Sequence, residues 1–224
     1  MPALILSFLI SVFGNSFSDD MALIRKAYQP EKAFEYHMVY SYYDNNDFNK
    51  AKDSLQAMVT MFKGGYIYKV DKLIYFRDAN YFLVINKKEK TITSMKSITQ
   101  QDVMFPSVML DSMINQYGIR WKVISQDASS KTYELEYTKG IIEKAMLRYD
   151  TRTGWVKECS INYKKEIKLR TDLNPGVRFV MVFSGYRNIN NASNISVNEF
   201  LKLEDGRMEP GAGYKGYQII QSEN

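Results

Sequence analysis

The sequence predicts a mainly β protein with few helices, in which a curved antiparallel sheet forms an incomplete, or half, β-barrel. Segments around residues 34–43, 132–138 and 155–163 alternate apolar and polar side chains with a period of two, which is typical of strands with one buried face. Strong turn signals, Gly64-Gly65 and Asn174-Pro175-Gly176, separate such segments. Hydrophobic residues make up 45% and aromatic residues 14% of the 224 residues, which is enough for a core.

The elements follow in order along the chain. Asp19 or Asp20 is a suitable N-cap for a short helix that ends before Pro30. Pattern and turn residues then predict strands at 33–43, 55–63, 66–70, 73–76, 81–85, 91–95, 119–125, 131–138, 142–149, 154–163 and 177–186. The segment 206–224 is expected to wrap the outside of the sheet and to end in a short edge strand at 217–220.

One segment departs from the β pattern. Between Pro106 and Gly118 the apolar residues have helical spacing, and these two residues suit the first helical position and the αL stop. Met109 and Met113 lie on the apolar side of this helix. A methionine-rich amphipathic helix within a β meander suits a lid over apolar guests, because methionine repacks easily. The same pattern also fits a helix that plugs the sheet permanently.

The first residues differ from the rest of the chain. Residues 3–13 are apolar apart from Ser7 and Ser11, and Ser16-Phe17-Ser18 places small residues where a signal peptidase reads them. We therefore expect residues 1–18 to be a secretory signal peptide and residues 19–224 to form a single half-barrel domain. The alternative is a buried first strand or helix.

Charge and cysteine content fit an exported protein. The net charge is +5, and lysines cluster at 87–90 and at 164–168. Such clusters solvate strand ends and discourage edge pairing, or attract anionic headgroups or an acidic partner. No nucleic-acid recognition motif accompanies them. The chain has 1 cysteine, Cys159, on the apolar side of its strand, so an intrachain disulfide is excluded and a small core residue is expected.

The residues for common catalytic chemistry are scarce. His37 is the sole histidine, and it lies on the polar side of a predicted strand. Nucleophilic triads need a histidine base, and zinc sites need several histidine or cysteine ligands. The sequence therefore predicts no enzyme, no catalytic residues, no metal site and no cofactor.

The region from residue 66 to 92 resembles a known family. Tyr68-Lys69, Lys72, Tyr75, Leu83-Val84-Ile85-Asn86 and Lys90-Thr91-Ile92 are similar to the central hairpins of the outer-membrane lipoprotein carrier (LolA-like) family, in a divergent form of the Bacteroidetes type. The resemblance implies an incomplete β-barrel that holds acyl chains on its concave face under helical lids. The expected leader and the cysteine content suit a soluble protein in the periplasm of a Gram-negative bacterium.

Together, pattern and resemblance predict a periplasmic, non-catalytic carrier or chaperone for the acyl chains of a lipid or lipoprotein. The alternative is an accessory or structural subunit of a cell-envelope or secretion assembly that reuses the fold. Expected partners are the acyl chain and inner- or outer-membrane proteins, with the chain a monomer and no nucleic acid bound. The ligand-binding residues predicted from the apolar phase of each element are Tyr36, Met38, Tyr40, Met109, Met113, Tyr137 and Phe179.

Overall fold

A computed structural model describes residues 17–29, 31–44, 49–97, 117–165, 176–190, 195–204 and 207–221. The described chain contains helix α1 (Phe17–Ala27) and two 3-10 turns, Val197–Glu199 and Ala212–Tyr214. The strands are β1 (Phe34–Tyr43), β2 (Asp53–Phe62), β3 (Gly65–Val70), β4 (Leu73–Arg77), β5 (Tyr81–Asn86), β6 (Thr91–Lys96), β7 (Ile119–Gln126), β8 (Ser130–Tyr137), β9 (Ile142–Asp150), β10 (Val156–Tyr163), β11 (Arg178–Asn188), β12 (Leu201–Glu204), β13 (Arg207–Pro210) and β14 (Gln218–Gln221).

The predicted fold class is confirmed. A curved 12-stranded sheet has the order β14-β6-β5-β4-β3-β2-β1-β11-β10-β9-β8-β7, and its two terminal strands do not close into a barrel. Every pairing in it is antiparallel except that of the C-terminal edge strand β14, which runs parallel to β6. The pairing of β1 with β11 joins the N-terminal meander to the second half of the chain. The hairpin β12–β13 was not predicted, and it forms a separate 2-stranded sheet.

Helix α1 packs against one face of this sheet, which we call the inner face. Its apolar side chains recur every three or four residues, so Phe17, Met21, Ile24 and Ala27 form a stripe that is buried. Asp19 and Asp20 lie in its first turn, and Arg25 and Lys26 lie in its last, which complements the helix dipole.

The inner face is apolar from one side of the sheet to the other. Residues directly opposite each other in antiparallel strands share a face. One such row crosses β7 to β2, and its members are Val123, Tyr133, Leu147, Cys159, Met181, Tyr40 and Leu55. Where α1 covers this face, a core forms that includes Tyr133, Leu135, Leu147, Tyr149 and Phe183.

The reverse face of β2–β6 is also buried, which corrects the expectation of one apolar and one wet face. Phe76, Leu83, Ile85 and Ile92 are completely buried there beneath Phe200 and Leu201 of the C-terminal segment. The rings of Phe76 and Phe200 lie 5.0 Å apart. The C-terminal segment therefore wraps the outside of the sheet, as predicted, and encloses a second core.

A buried ion pair fixes the first turn of α1 to the sheet. The Lys131 Nζ donates to Asp20 Oδ2 at 2.5 Å, and both side chains are at most 5% exposed. The Tyr133 hydroxyl donates to the same carboxylate oxygen. Burial and the neighbouring Asp20 carboxylate raise the pKa of Tyr133, so its hydroxyl keeps its proton as a donor. These two contacts hold the first turn of α1 over β8.

We predict that Asp20→Asn destabilises the protein by about 3–5 kcal/mol, because it leaves the Lys131 ammonium buried without its counter-charge. Asp19→Asn, on the exposed side of the same turn, is the control and should change stability by under about 0.5 kcal/mol. The double variant Asp20→Leu/Lys131→Met should recover much of the loss. Urea unfolding measures all three, and equal losses for Asp19→Asn and Asp20→Asn would contradict the assignment.

Gly154 permits the close approach of α1 to the turn between β9 and β10. Its φ is +77°, and a Cβ there would lie 2.5 Å from the carbonyl oxygen of Leu23 in the helix. Gly64 has a similar φ of +81°, but a Cβ there would have no neighbour within 4 Å. The two glycines therefore separate backbone strain from steric exclusion of the helix.

We expect Gly64→Ala to cost about 1–2 kcal/mol from the left-handed backbone alone. Gly154→Ala should cost about 1–3 kcal/mol more, since the helix must also move away from the turn. Chemical denaturation of both variants against the parent gives the difference. Equal costs would mean that α1 does not pack against this turn.

Candidate functional site: an aromatic patch on the inner face

Helix α1 covers only part of the inner face. Apart from Ala57, Val59 and Tyr66, which are buried, the apolar inner-facing side chains of β2–β6 and of the adjoining ends of β1 and β11 are half-buried or exposed, and Leu55 is 47% exposed. We call this surface the inner patch, and its residues are Tyr40, Tyr42, Leu55, Tyr68, Val70, Leu73, Tyr75, Phe82, Val84, Met95 and Phe179. It is the apolar surface that remains when both cores have been formed.

Ring contacts organise the inner patch into two aromatic groups. In the first, Phe179 lies between Tyr40, Tyr42 and Tyr163, with ring centroids at 5.3, 5.6 and 5.6 Å. In the second, Tyr75 lies between Tyr68 at 5.7 Å and Phe82 at 6.4 Å. Strand pairing fixes these rings in place, because each pair sits on facing or diagonal positions of neighbouring strands.

Burial shifts the pKa values of Tyr40 and Tyr68 in the patch and of Tyr163 beside it. Burial raises the pKa of Tyr40 to about 12 and also raises the pKa values of Tyr68 and Tyr163. Neighbouring phenols add to the shifts of Tyr40 and Tyr68. The patch therefore offers ring faces and the protonated hydroxyls of Tyr40 and Tyr68, and Asp53 lies at its margin, opposite Tyr42. Arg77 lies at its margin, where Nε donates to the Ser97 hydroxyl at 3.2 Å.

The structure divides the residues predicted to bind ligand. Tyr40 and Phe179 lie in the inner patch, in ring contact with each other. Tyr36 is only 3% exposed and belongs to the core under α1, against which Met38 and Tyr137 also pack. Met109 and Met113, with the predicted lid helix, lie outside the described residues.

Sequence reasoning did not select Tyr68, Tyr75, Phe82 and Val84 as site residues. The runs Leu73–Phe76 and Tyr81–Ile85 are apolar at every position, because these strands are buried on one face and half-buried on the other. In such strands the alternation cannot show which residues face the site. The continuous apolar runs were the available signal that both faces are covered.

Two cavities in the described parts of the chain lie at the margins of the sheet. One of about 430 Å³ lies near the ends of β5 and β6 and is lined by both polar and apolar side chains, including Asn80, Met95, Lys96 and Met208. Another of about 600 Å³ lies between Lys87, Glu199 and Tyr217.

The described residues contain no cluster for metal or triad chemistry. Within them, no group of three or more histidine, cysteine or acidic side chains could hold a metal ion. His37 is exposed on the outer face, as expected, opposite Ser184. In the described part of the chain, no helix is both long enough and apolar enough to cross a membrane.

Comparisons with known proteins give similarities in structure. No protein-family model and no curated protein matches the chain. An uncharacterized conserved protein from Thermus thermophilus is similar over 92% of this chain and 98% of its own, with 6% identity and a TM-score of 0.52. At this identity the similarity concerns the fold alone, and it supports the open-sheet architecture.

Two further solved structures have TM-scores below 0.5. A LolA superfamily protein from Nitrosomonas europaea matches over 82% of this chain and 99% of its own, with 10% identity and a TM-score of 0.34. The MucA/MucB complex of Pseudomonas aeruginosa provides a chain that matches over 80% of this one and 62% of its own, with 9% identity and a TM-score of 0.42.

Cys159 gives a test of the inner-face packing. Burial, assisted by the Glu158 carboxylate, raises the pKa of its thiol to about 12. At pH 8 the native thiolate fraction is then about a thousandfold below that of an unfolded cysteine. We predict correspondingly slow labelling by a thiol reagent in the native protein and rapid labelling in urea. Complete labelling of the native protein within minutes would show that the inner face opens at Cys159.

Proposed function

We propose that this protein is a non-catalytic carrier or chaperone of the bacterial envelope that binds the acyl chains of a lipid or lipoprotein. The observation that supports this most directly is the inner patch, a contiguous, uncharged, half-exposed surface of rings and aliphatic side chains. Contiguous apolar surface of this kind is typical of a binding site in a folded protein. The resemblance of residues 66–92 to the lipoprotein carrier family agrees with it.

The energetics of an acyl ligand suit such a surface. Burying each CH₂ of a chain contributes about 0.8 kcal/mol, so partial burial of one chain suffices for useful affinity. Half-buried tyrosines add contact area at a low cost in side-chain entropy. Because the inner patch is fixed by strand pairing, binding requires little ordering of the protein.

The proposal includes the location and the partners. The chain is exported through its N-terminal leader to the periplasm of a Gram-negative bacterium, where it works as a monomer with inner- or outer-membrane proteins as partners. It belongs, in this proposal, to a divergent Bacteroidetes type of the LolA-like proteins. The predicted helix with Met109 and Met113 covers the ligand.

A second candidate function is an accessory or structural subunit of an envelope or secretion assembly. Strand β7 favours it, since this terminal strand of the sheet carries the exposed apolar residues Trp121, Val123 and Ile124. Their exposed fractions are 49%, 43% and 43%. An exposed apolar edge strand is suited to pairing with another chain.

Mass spectrometry of lipids that co-purify with the exported protein tests the carrier proposal. We expect acyl lipids or lipoproteins with the parent, and a loss of about tenfold or more in Val84→Asp, because a carboxylate in the inner patch would have to be desolvated by the bound chain. The control is Val182→Asp, whose site on the outer face is 44% exposed.

Melting temperatures of both valine variants show whether a loss of lipid reflects binding or folding. Equal lipid content in Val84→Asp and Val182→Asp would contradict a site on the inner patch. A parent that carries no lipid but retains a protein partner, lost in Trp121→Ala, would favour the assembly subunit instead.

A further inference from the structure

Phe17, the first residue of helix α1, is part of the folded domain. Its side chain is only 7% exposed. Its ring stacks on Trp121 with centroids 4.8 Å apart and planes inclined by 11°, and it meets the edge of Tyr133 at 5.0 Å. Trp121 remains 49% exposed even with Phe17 above it.

The Phe17 contact belongs to the same structural unit as the buried ion pair. Tyr133 touches Phe17 through its ring and donates its hydroxyl to Asp20, which also binds Lys131. Loss of Phe17 would uncover Tyr133 and Trp121. A chain starting at Asp19 would also place a new α-ammonium group next to the Asp20 carboxylate, in competition with Lys131.

Two peptide bonds satisfy the small-residue rule of signal peptidase. Signal peptidase requires small residues at the first and third positions before the cleaved bond. These are Ser18 and Ser16 for cleavage after Ser18, and Ser16 and Gly14 for cleavage after Ser16. The sequence rule does not separate them. The packing of Phe17 distinguishes the two bonds, because only cleavage after Ser16 leaves Phe17 in the mature protein.

We propose that the leader is removed between Ser16 and Phe17, so that Phe17 is the first residue of the mature chain and its ring packs over Trp121 and Tyr133. This processing site rests on the proposed export and is independent of what the inner patch binds. It lies two residues before the boundary at Ser18 that the sequence pattern predicts.

Expression of the full chain in a Gram-negative host tests the site through the intact mass of the periplasmic protein. We expect a mature chain that begins at Phe17. A chain that begins at Asp19, or one that retains Met1, would overturn the proposal. Lipid content is not measured here, so this outcome is distinct from failure of the carrier function.

Two matched substitutions each affect one bond only. Gly14→Leu places a bulky residue at the third position before the Ser16–Phe17 bond, and we expect precursor to accumulate. Ser18→Leu does the same to the residue before the Ser18–Asp19 bond, and because Ser18 is exposed we expect normal processing and folding. The opposite pattern would place cleavage after Ser18.

Phe17→Ala in the full chain gives a second readout. If the mature chain retains position 17, the exported protein should melt about 5–10 °C lower, and its tryptophan emission should shift to longer wavelength as Trp121 is uncovered. Ser18→Ala is the control. If cleavage follows Ser18, the exported Phe17→Ala protein is the same polypeptide as the parent, and an unchanged melting temperature would overturn the proposal.

Discussion

The buried ion pair between Asp20 and Lys131 fixes which part of the inner face is covered. Lys131 lies on the inner face of β8, and its ammonium group tolerates burial only with a counter-charge close by. Asp20 provides that charge from the first turn of α1, and Tyr133 donates a hydrogen bond to the same carboxylate. The first turn of α1 is therefore held over β8, and apart from Ala57, Val59 and Tyr66 the apolar inner face of β2–β6 stays half-buried or exposed.

The two cores lie on opposite faces of one sheet. Under α1 the core forms on the inner face, whereas on β2–β6 the fully buried side chains point outward to Phe200 and Leu201. The C-terminal segment thus stabilises the meander on its reverse face. Gly211 allows the chain to pass close to Glu199 in this segment, because a Cβ at position 211 would lie 2.5 Å from the Glu199 carbonyl oxygen. Because the meander is stabilised by its reverse face, much of its inner face can stay half-exposed.

The chemistry of the inner patch follows from this arrangement. The phenols of Tyr40 and Tyr68 are partly desolvated, which raises their pKa values. Neutral hydroxyls among rings accept or donate hydrogen bonds without attracting ions, so the patch suits an apolar chain with few polar groups. The same sheet exposes the apolar side chains of Trp121, Val123 and Ile124 on β7.

The sequence by itself determined the β class, the strand positions and the inner-facing phase of β1, β8 and β11, because period-two alternation is a local property. It also placed Tyr40 and Phe179 on the inner face of the sheet, where their rings are in contact. Only the tertiary structure decided that Tyr36 is a core residue, that the meander is apolar on both faces, and that Phe17 belongs to the domain. These outcomes depend on which distant segment covers each surface, since Asp20 reaches Lys131 and Phe200 reaches Phe76 across more than a hundred residues.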